Sequence, residues 1–337
     1  MRKPCDLGYR MPAEWEKHEA VWLAWPHRKQ DWPGKFAPIP WVFVEIIRNI
    51  AKSERVRLIV KNSNAKIEAK SFLKRAEVDL NRIDFYVIPN NRGWLRDAGP
   101  IFIINAQGKG ITNWNFNGWA KYPNHKLDDK IPIEVNKLFK LPDFKPGIVL
   151  EGGAIDVNGK GTLITTEECL LSKVQQRNKN LKREDYEKIF GEYLGVKNVI
   201  WLDKGIIGDD THGHVDDITR FVSVDTVITC IEKNKKDDNH EILKENLRRL
   251  KKTKFNIVEL PMPKPVLFEG QRLPASYANF LITNSAVLVP VFNDSNDLPA
   301  LKILETVFKK REIIPIYSRD LVWGLGTIHC LTQQEPA

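Results

Sequence analysis

The segment Gly324-Leu325-Gly326-Thr327-Ile328-His329-Cys330-Leu331-Thr332-Gln333-Gln334 sets a thiol among glycines, apolar neighbours and hydrogen-bonding side chains. Glycine permits close backbone approach, and Thr332, Gln333 and Gln334 put donors and acceptors directly behind the sulfur. That setting suits a held, reactive thiol, although an isolated cysteine is also readily a small buried hydrophobe. Its context lies upstream, in Trp94-Leu95-Arg96-Asp97-Ala98-Gly99-Pro100, in Glu151-Gly152-Gly153 and in Asp209-Asp210-Thr211-His212-Gly213-His214-Val215-Asp216-Asp217. Glu151 ends an apolar strand, and a carboxylate placed inside a protein is costly unless a cation meets it. His214 and Asp216 stand two residues apart, so an extended segment would point them the same way. A cysteine needs a base or an ion-pair partner to form thiolate near neutral pH, and His214 is the candidate for Cys330. Together, Cys330, His214, Glu151, Asp97 and Asp216 could grip a flat cation between carboxylates and attack its central carbon. A guanidinium has that shape.

Elements that would bring these distant residues together can be read from the apolar pattern. Glu19–Trp25 and Arg55–Val60 read as strands, with helical spacing over Trp41–Ala51 between them. One pattern then recurs: a hairpin, an amphipathic helix and a closing strand. It runs Ile101–Asn105, Ile111–Phe116, Ile131–Phe139 and Gly147–Leu150, then Gly153–Val157, Thr162–Thr166, Asp185–Tyr193 and Asn198–Leu202. Asn158-Gly159 is the strongest hairpin signal in the chain. A third copy covers Ile218–Val222, Thr226–Ile231, His240–Lys252 and Asn256–Leu260, and a fourth covers Asn279–Thr283, Ala286–Val291, Asp297–Lys310 and Ile313–Ile316. Closing strands near residues 86, 149, 200, 258 and 315 recur at intervals of roughly 50 to 65 residues. The spacing predicts an α/β fold of five repeated units stacked radially as a closed ring around a central channel, rather than an open βαβ sheet, which would lack hairpins. Each polar cluster follows a closing strand, so all would face one central channel.

The 337 residues fit a single domain over 1–337, with 42% hydrophobic and 28% charged residues. No apolar run is long enough to span a bilayer, and the first residues lack a signal-peptide stretch, so a cytoplasmic protein with no membrane partner is expected. Cys5, Cys169, Cys230 and Cys330 are scattered, which fits reduced thiols rather than disulfides or a zinc knuckle. The net charge of +9 raises nucleic acid as a partner. The lysine-rich stretches instead read as solvated faces, and no nucleic-acid-binding motif accompanies them.

These motifs resemble the guanidine-modifying (pentein) superfamily and, more closely, its agmatine deiminases within the Porphyromonas-type peptidyl-arginine deiminase family. The resemblance runs from Gly8-Tyr9-Arg10-Met11-Pro12-Ala13-Glu14-Trp15 and Trp22-Leu23-Ala24-Trp25-Pro26-His27, through WxRDxGP, EGG, GHVDD and PASYxNF at Pro274–Phe280, to IHCxTQQ. It implies a five-bladed α/β propeller, Cys330 as nucleophile, His214 as general acid and base, Asp97 and Asp216 as the carboxylates on the guanidinium, and Glu151 completing the catalytic set. It also implies Asp210 near the far amine of a small-molecule substrate and Trp94 as a wall of the channel. No metal or organic cofactor is implied, a homo-oligomer is compatible, and the reaction would release N-carbamoylputrescine and ammonia, a step toward putrescine. Two positions depart from the family pattern: Leu325 replaces a glycine in a run of three, and His212 stands where Asp or Asn is common. Rival readings are an arginine or peptidyl-arginine deiminase, an amidinotransferase, and a metallohydrolase using His212, His214 and Asp216 as an HxHxD string.

Overall fold

A computed structural model describes residues 2–337. Its strands form five small sheets of related order, with an added two-stranded hairpin at Leu267–Phe268 and Gln271–Arg272, in a mixed α/β arrangement. Three sheets match the expected copies closely: Asp156–Val157, Thr162–Thr166 and Asn198–Leu202; Thr219–Phe221, Thr226–Ile231 and Asn256–Pro261; Leu281–Ile282, Ala286–Val291 and Glu312–Tyr317. In each, the first two strands pair antiparallel and the second pairs parallel with the third. The parallel step requires a crossover, which the helices Arg183–Leu194, Asn239–Leu250 and Asp297–Val307 supply.

The Asn158-Gly159 turn shows why that dipeptide is needed. Asn158 Oδ1 accepts the backbone N–H of Lys160 at 2.9 Å and of Thr162 at 3.0 Å. Gly159 has φ +66°, and a Cβ there would come within 2.8 Å of the Ala13 nitrogen.

Two expectations are corrected. In the sheet of Ile101–Asn105 and Gly108–Thr112, the closing strand is Asp143–Phe144, and Gly147–Leu150 contributes an isolated bridge between Asn115 and Val149. Pro142, Pro146 and the positive φ of Gly147 break this stretch into short pieces. The remaining sheet is assembled from both ends of the chain: Gln333–Pro336 pairs antiparallel with His18–Ala24, which pairs parallel with Arg55–Val60 and onward to Ile83–Val87. Trp22 lies opposite Gln333 in that register and donates its indole N–H to Glu335 at 2.9 Å. The strand just after Cys330 is thereby anchored.

Helices pack between neighbouring sheets. Ile39–Ala51 buries Phe43, Val44, Ile46, Ile47 and Ile50 on one face, and it touches its own strand Arg55–Val60 as well as Ala286–Val291 and Glu312–Tyr317. Asn239–Leu250 lies between Thr226–Ile231 and Asn198–Leu202. Two buried asparagines on this helix hold the loop leading toward His214. Asn246 accepts the Asp203 N–H and donates to the Lys204 carbonyl, both at 2.8 Å, and Asn239 accepts the Ile207 N–H at 2.8 Å.

Candidate active site

Asp97 sits in the one-turn helix Leu95–Ala98 and is buried. One carboxylate oxygen accepts the Gly153 N–H at 3.0 Å and the other accepts the Trp119 indole N–H at 2.9 Å. Burial raises its pKa to about 6, against the pull of nearby His214 in the other direction. Neighbouring Arg96 does not pair with it. Arg96 instead donates to Gln334 Oε1 at 2.7 Å and approaches Glu14 at 3.8 Å.

Glu151 is fully buried and meets the cation its position demands, Arg177, at 3.0 Å. Its second oxygen has no hydrogen-bond partner and lies 3.9 Å from His214 Nε2, while His214 Nδ1 lies 3.7 Å from Asp97. Burial disfavours a charged imidazole, but Asp97, Cys169 and Asp216 outweigh it and hold His214 well above its ordinary pKa. The two glycines after Glu151 are steric requirements. A Cβ on Gly152 would stand 2.3 Å from the Arg96 carbonyl oxygen. One on Gly153 would stand 2.5 Å from His214 Nδ1, 2.8 Å from Asp97 and 3.1 Å from Asp216. The bare Gly153 backbone is what lets these three side chains converge.

The loop before His214 is shaped by Asp209, which accepts the N–H groups of Thr211, Gly213 and His214 at 2.8 to 2.9 Å. Beyond it the chain is not extended: Val215–Asp217 forms one 3₁₀ turn. His214 and Asp216 nevertheless both reach the space beside Gly153. Asp216 accepts from His329 Nδ1 at 2.7 Å and its other oxygen has no partner. Burial would raise the Asp216 pKa, yet His329 overrides it and lowers it. Asp217 is raised well above the usual carboxylate range by burial and by Asp216 beside it.

Cys330 lies in the short helix Ile328–Leu331. Its sulfur accepts from Asn279 Nδ2 at 3.1 Å and is 3.8 Å from Asp216. Burial, then Asp216, Asp217 and Asp97, push the thiol pKa well up. Among the described residues no hydrogen bond joins His214 to Cys330: the His214 nitrogens lie 3.7 Å from Asp97 and 3.9 Å from Glu151, and neither has a hydrogen-bond partner. The sulfur's donor is Asn279. It also donates to Asp217 at 3.0 Å, and its oxygen accepts from Thr327 Oγ1 at 2.7 Å and the His329 N–H at 3.1 Å. The PASYxNF motif contained Asn279, but nothing local marked it as the thiol's neighbour. Nor did the sequence reading single out Arg177, His329 or Trp119.

Asp97 and Cys330 form the inner end of a cavity of about 200 Å³, with Trp94 and Trp119 along its walls. Trp94 stacks on Trp32 at 5.5 Å. Toward the opening stand Asp210, Tyr122, Arg92 and Leu325. Asp210 is held by Tyr122 OH at 2.7 Å and by an ion pair with Lys121. Leu325 has φ +67° and His212 has φ +65°, so both family departures fall in left-handed backbone. His212 turns away from the cavity to Ser172 Oγ at 3.2 Å. It therefore does not join His214 and Asp216, and the HxHxD string does not form one ligand set. All four cysteines are free thiols, and no helix among the described residues is long and apolar enough to cross a membrane.

The arrangement suits a cationic, planar group held by carboxylates beside a sulfur nucleophile. Comparisons with known proteins point the same way. The family model described as Porphyromonas-type peptidyl-arginine deiminase matches residues 10–336. The agmatine deiminase of Pseudomonas savastanoi pv. phaseolicola is 35% identical over 362 residues, covering 98% of this chain and 96% of that protein. The solved agmatine deiminase of Enterococcus faecalis superposes with a TM-score of 0.93 at 31% identity, covering 100% of this chain and 98% of that one. A substrate-bound variant of the C. jejuni agmatine deiminase gives 0.90 at 31% identity, covering 98% and 96%.

Proposed function

The chain belongs to the Porphyromonas-type peptidyl-arginine deiminase family, and from that premise we propose that it is an agmatine deiminase, hydrolysing agmatine to N-carbamoylputrescine and ammonia. The observation that carries this reading is a cavity with acid at both ends: Asp97 at the floor with the Cys330 thiol, Asp216 lying 3.8 Å from that sulfur, and Asp210 near the opening. Agmatine is a guanidinium and an ammonium joined by an apolar chain, and the tryptophan walls between the acids fit that chain. In this reading the five sheets close as a five-bladed propeller of one domain, so that the segments after the closing strands share an axis.

Asp97 and Asp216 hold the guanidinium in plane and aim its carbon at Cys330. Burial and three carboxylates hold the thiol proton tightly; an arriving cation offsets those charges, so that the proton passes to solvent and the thiolate is favoured where it is needed. Sulfur then bonds to the guanidinium carbon. His214, held protonated by its acidic neighbours, gives a proton to the departing nitrogen, and the carbon–nitrogen bond breaks to release ammonia. Glu151, fixed by Arg177, keeps His214 in place. Water next attacks the S-alkylthiouronium carbon, His214 takes its proton, and the carbon–sulfur bond breaks to give the ureido product and the free thiol. Trp94 and Asp210 position the substrate's chain and amine.

An arginine deiminase would need a free cation for the α-carboxylate. Arg92 is near the opening, but Asp31 binds it at 2.7 Å and Tyr122 covers its guanidinium at 3.9 Å. The test is ammonia release from agmatine, free arginine and a peptidyl arginine side by side, with intact mass for an adduct on Cys330. Turnover of agmatine far above the other two is expected, and a preference for either arginine substrate overturns the assignment.

A further inference from the structure

His329, immediately before Cys330, is absent from the roles assigned above, yet it is gripped from both sides. Its Nδ1 lies 2.7 Å from Asp216 Oδ2 and its Nε2 lies 2.7 Å from Glu14 Oε2, and the ring is almost fully buried. A neutral imidazole has one N–H, so its other nitrogen would face a carboxylate lone pair across a hydrogen-bond distance. Two protons on the ring satisfy both contacts. Glu14 is in turn bound by Arg220 at 2.5 Å, and Arg220 by Asp156 at 2.6 Å. Arg220 also donates to the carbonyls of Ala278 and Phe280, on either side of Asn279, at 3.2 and 2.9 Å. Arg96 completes the surroundings, 3.8 Å from Glu14 and with its Nε donating to the His329 carbonyl at 3.3 Å.

We propose that His329 is a positioning residue for the deimination: as an imidazolium clamped between Glu14 and Asp216, it keeps Asp216 ionised and turned toward the cationic substrate beside Cys330. The inference deepens the reading of the site as a guanidinium-binding one and rests on it. Asp216 shares its fully buried setting with Asp97, Asp217 and the Cys330 sulfur. Without a fixed cation behind it, burial and like charge would favour its neutral acid, which attracts a guanidinium weakly. The lowered Asp216 pKa, with His329 the main opposition to burial, agrees with the geometry. Glu14 takes the outer hydrogen bond, so the imidazolium remains oriented when substrate draws on Asp216.

The experiment compares alkylation of Cys330 by a cationic 2-haloacetamidine and by neutral iodoacetamide, followed by intact mass, in the wild-type chain and in His329→Gln. The ratio of cationic to neutral rates is expected to fall roughly tenfold in the variant, because an Asp216 left neutral by burial and like charge no longer draws the cation, while agmatine KM rises more than kcat falls. A role confined to packing would slow both reagents alike, and an unchanged ratio overturns the proposal. Ring ¹⁵N shifts of His329 in the wild-type protein at pH 7 give a readout independent of whether the variant folds: two protonated nitrogens support the clamp, and a neutral ring overturns it. If wild-type protein does not turn over agmatine, the substrate assignment fails, and the alkylation ratio still decides the role of His329.

Discussion

The floor and the opening of the cavity are built from the same kinds of side chain in opposite ways. At the floor, Asp97, Glu151, His214, Asp216 and Cys330 come from four separated segments and are all buried; Gly153, Arg177 and His329 hold Asp97, Glu151 and Asp216, and His214 stands between Asp97 and Glu151. At the opening, Asp210 is partly exposed and bound to Lys121, whose own side chain is 42% exposed. Low dielectric makes charge at the floor strong and intolerant, whereas solvent screens the pairs at the opening. In the proposed reaction the floor sets the chemistry, and contacts that can be swapped at modest cost set the choice of substrate tail.

The comparison predicts its largest effect at Asp97. Asp97→Asn removes a buried charge from the guanidinium site, and kcat/KM for agmatine should drop by roughly 10²- to 10³-fold. The same carboxylate has an opposite effect on stability. Its folded pKa of about 6 lies above the ordinary 3.8, so the folded state binds this proton more tightly than the unfolded one. The resulting stabilisation is present below pH 3.8 and lost as pH rises through about 6. Melting temperatures of wild type relative to Asp97→Asn should therefore decline between these limits, and the wild-type kcat/KM should fall on the acid side of about pH 6. A flat difference in melting temperature would show that the Asp97 charge is not under strain.

Gly153→Ala tests whether the floor depends on a missing side chain. The new methyl would have to share space with His214, Asp97 and Asp216, and displacement of such groups by about 1 Å costs on the order of 10²-fold in rate. A kcat loss of that size in a folded protein is expected; wild-type kinetics would mean the three groups move freely and the floor is as adaptable as the opening.

At the opening the effects should be smaller and fall on KM. Asp210→Asn should raise KM for agmatine about fivefold, in line with a partly screened charge pair. Lys121→Met should lower it about two- to threefold, because the substrate amine no longer competes with the lysine for Asp210. Steady-state kinetics on both variants checks this, and a Lys121→Met enzyme with a higher KM would place the lysine on the side of binding.

Legibility in the sequence follows the same division between local and distant causes. Hairpins and amphipathic helices have short-range periodicity, so the second and third strands of three sheets could be read to within a residue, while the first strands are shorter than read, Gly153–Val157 beginning only at Asp156. Gln333–Pro336 could not, since Gln-Gln-Glu-Pro carries no strand pattern and acquires its order by pairing with a strand at the other end of the chain. The site residues stood out because carboxylates beside glycines and histidines beside carboxylates are unusual after strand ends. Their partners did not, because ion pairing is decided in three dimensions: His214 goes to Asp97 and Glu151, while Asn279, from a motif of ordinary appearance, goes to the thiol.

The smallest expected effect lies at Leu325, where the opening bears on the floor. With φ +67° this residue occupies backbone that costs a branched side chain roughly 1 to 2 kcal/mol relative to glycine. The cost is local, and the side chain it carries lines the cavity. Adjacent Gly326 has no such latitude, since a Cβ there would stand 2.8 Å from the Trp94 ring and 3.1 Å from the Cys330 Cβ. Leu325→Gly should then stabilise the fold by about 1 kcal/mol, less the unfolded-state entropy that glycine adds, and it should widen the opening without touching the chemistry. Thermal denaturation should show a slightly higher midpoint, with kcat on agmatine within about twofold and bulkier guanidines accepted more readily. If the variant melts lower instead, the leucine's apolar contacts outweigh its backbone strain, and the opening is then as tightly specified as the floor.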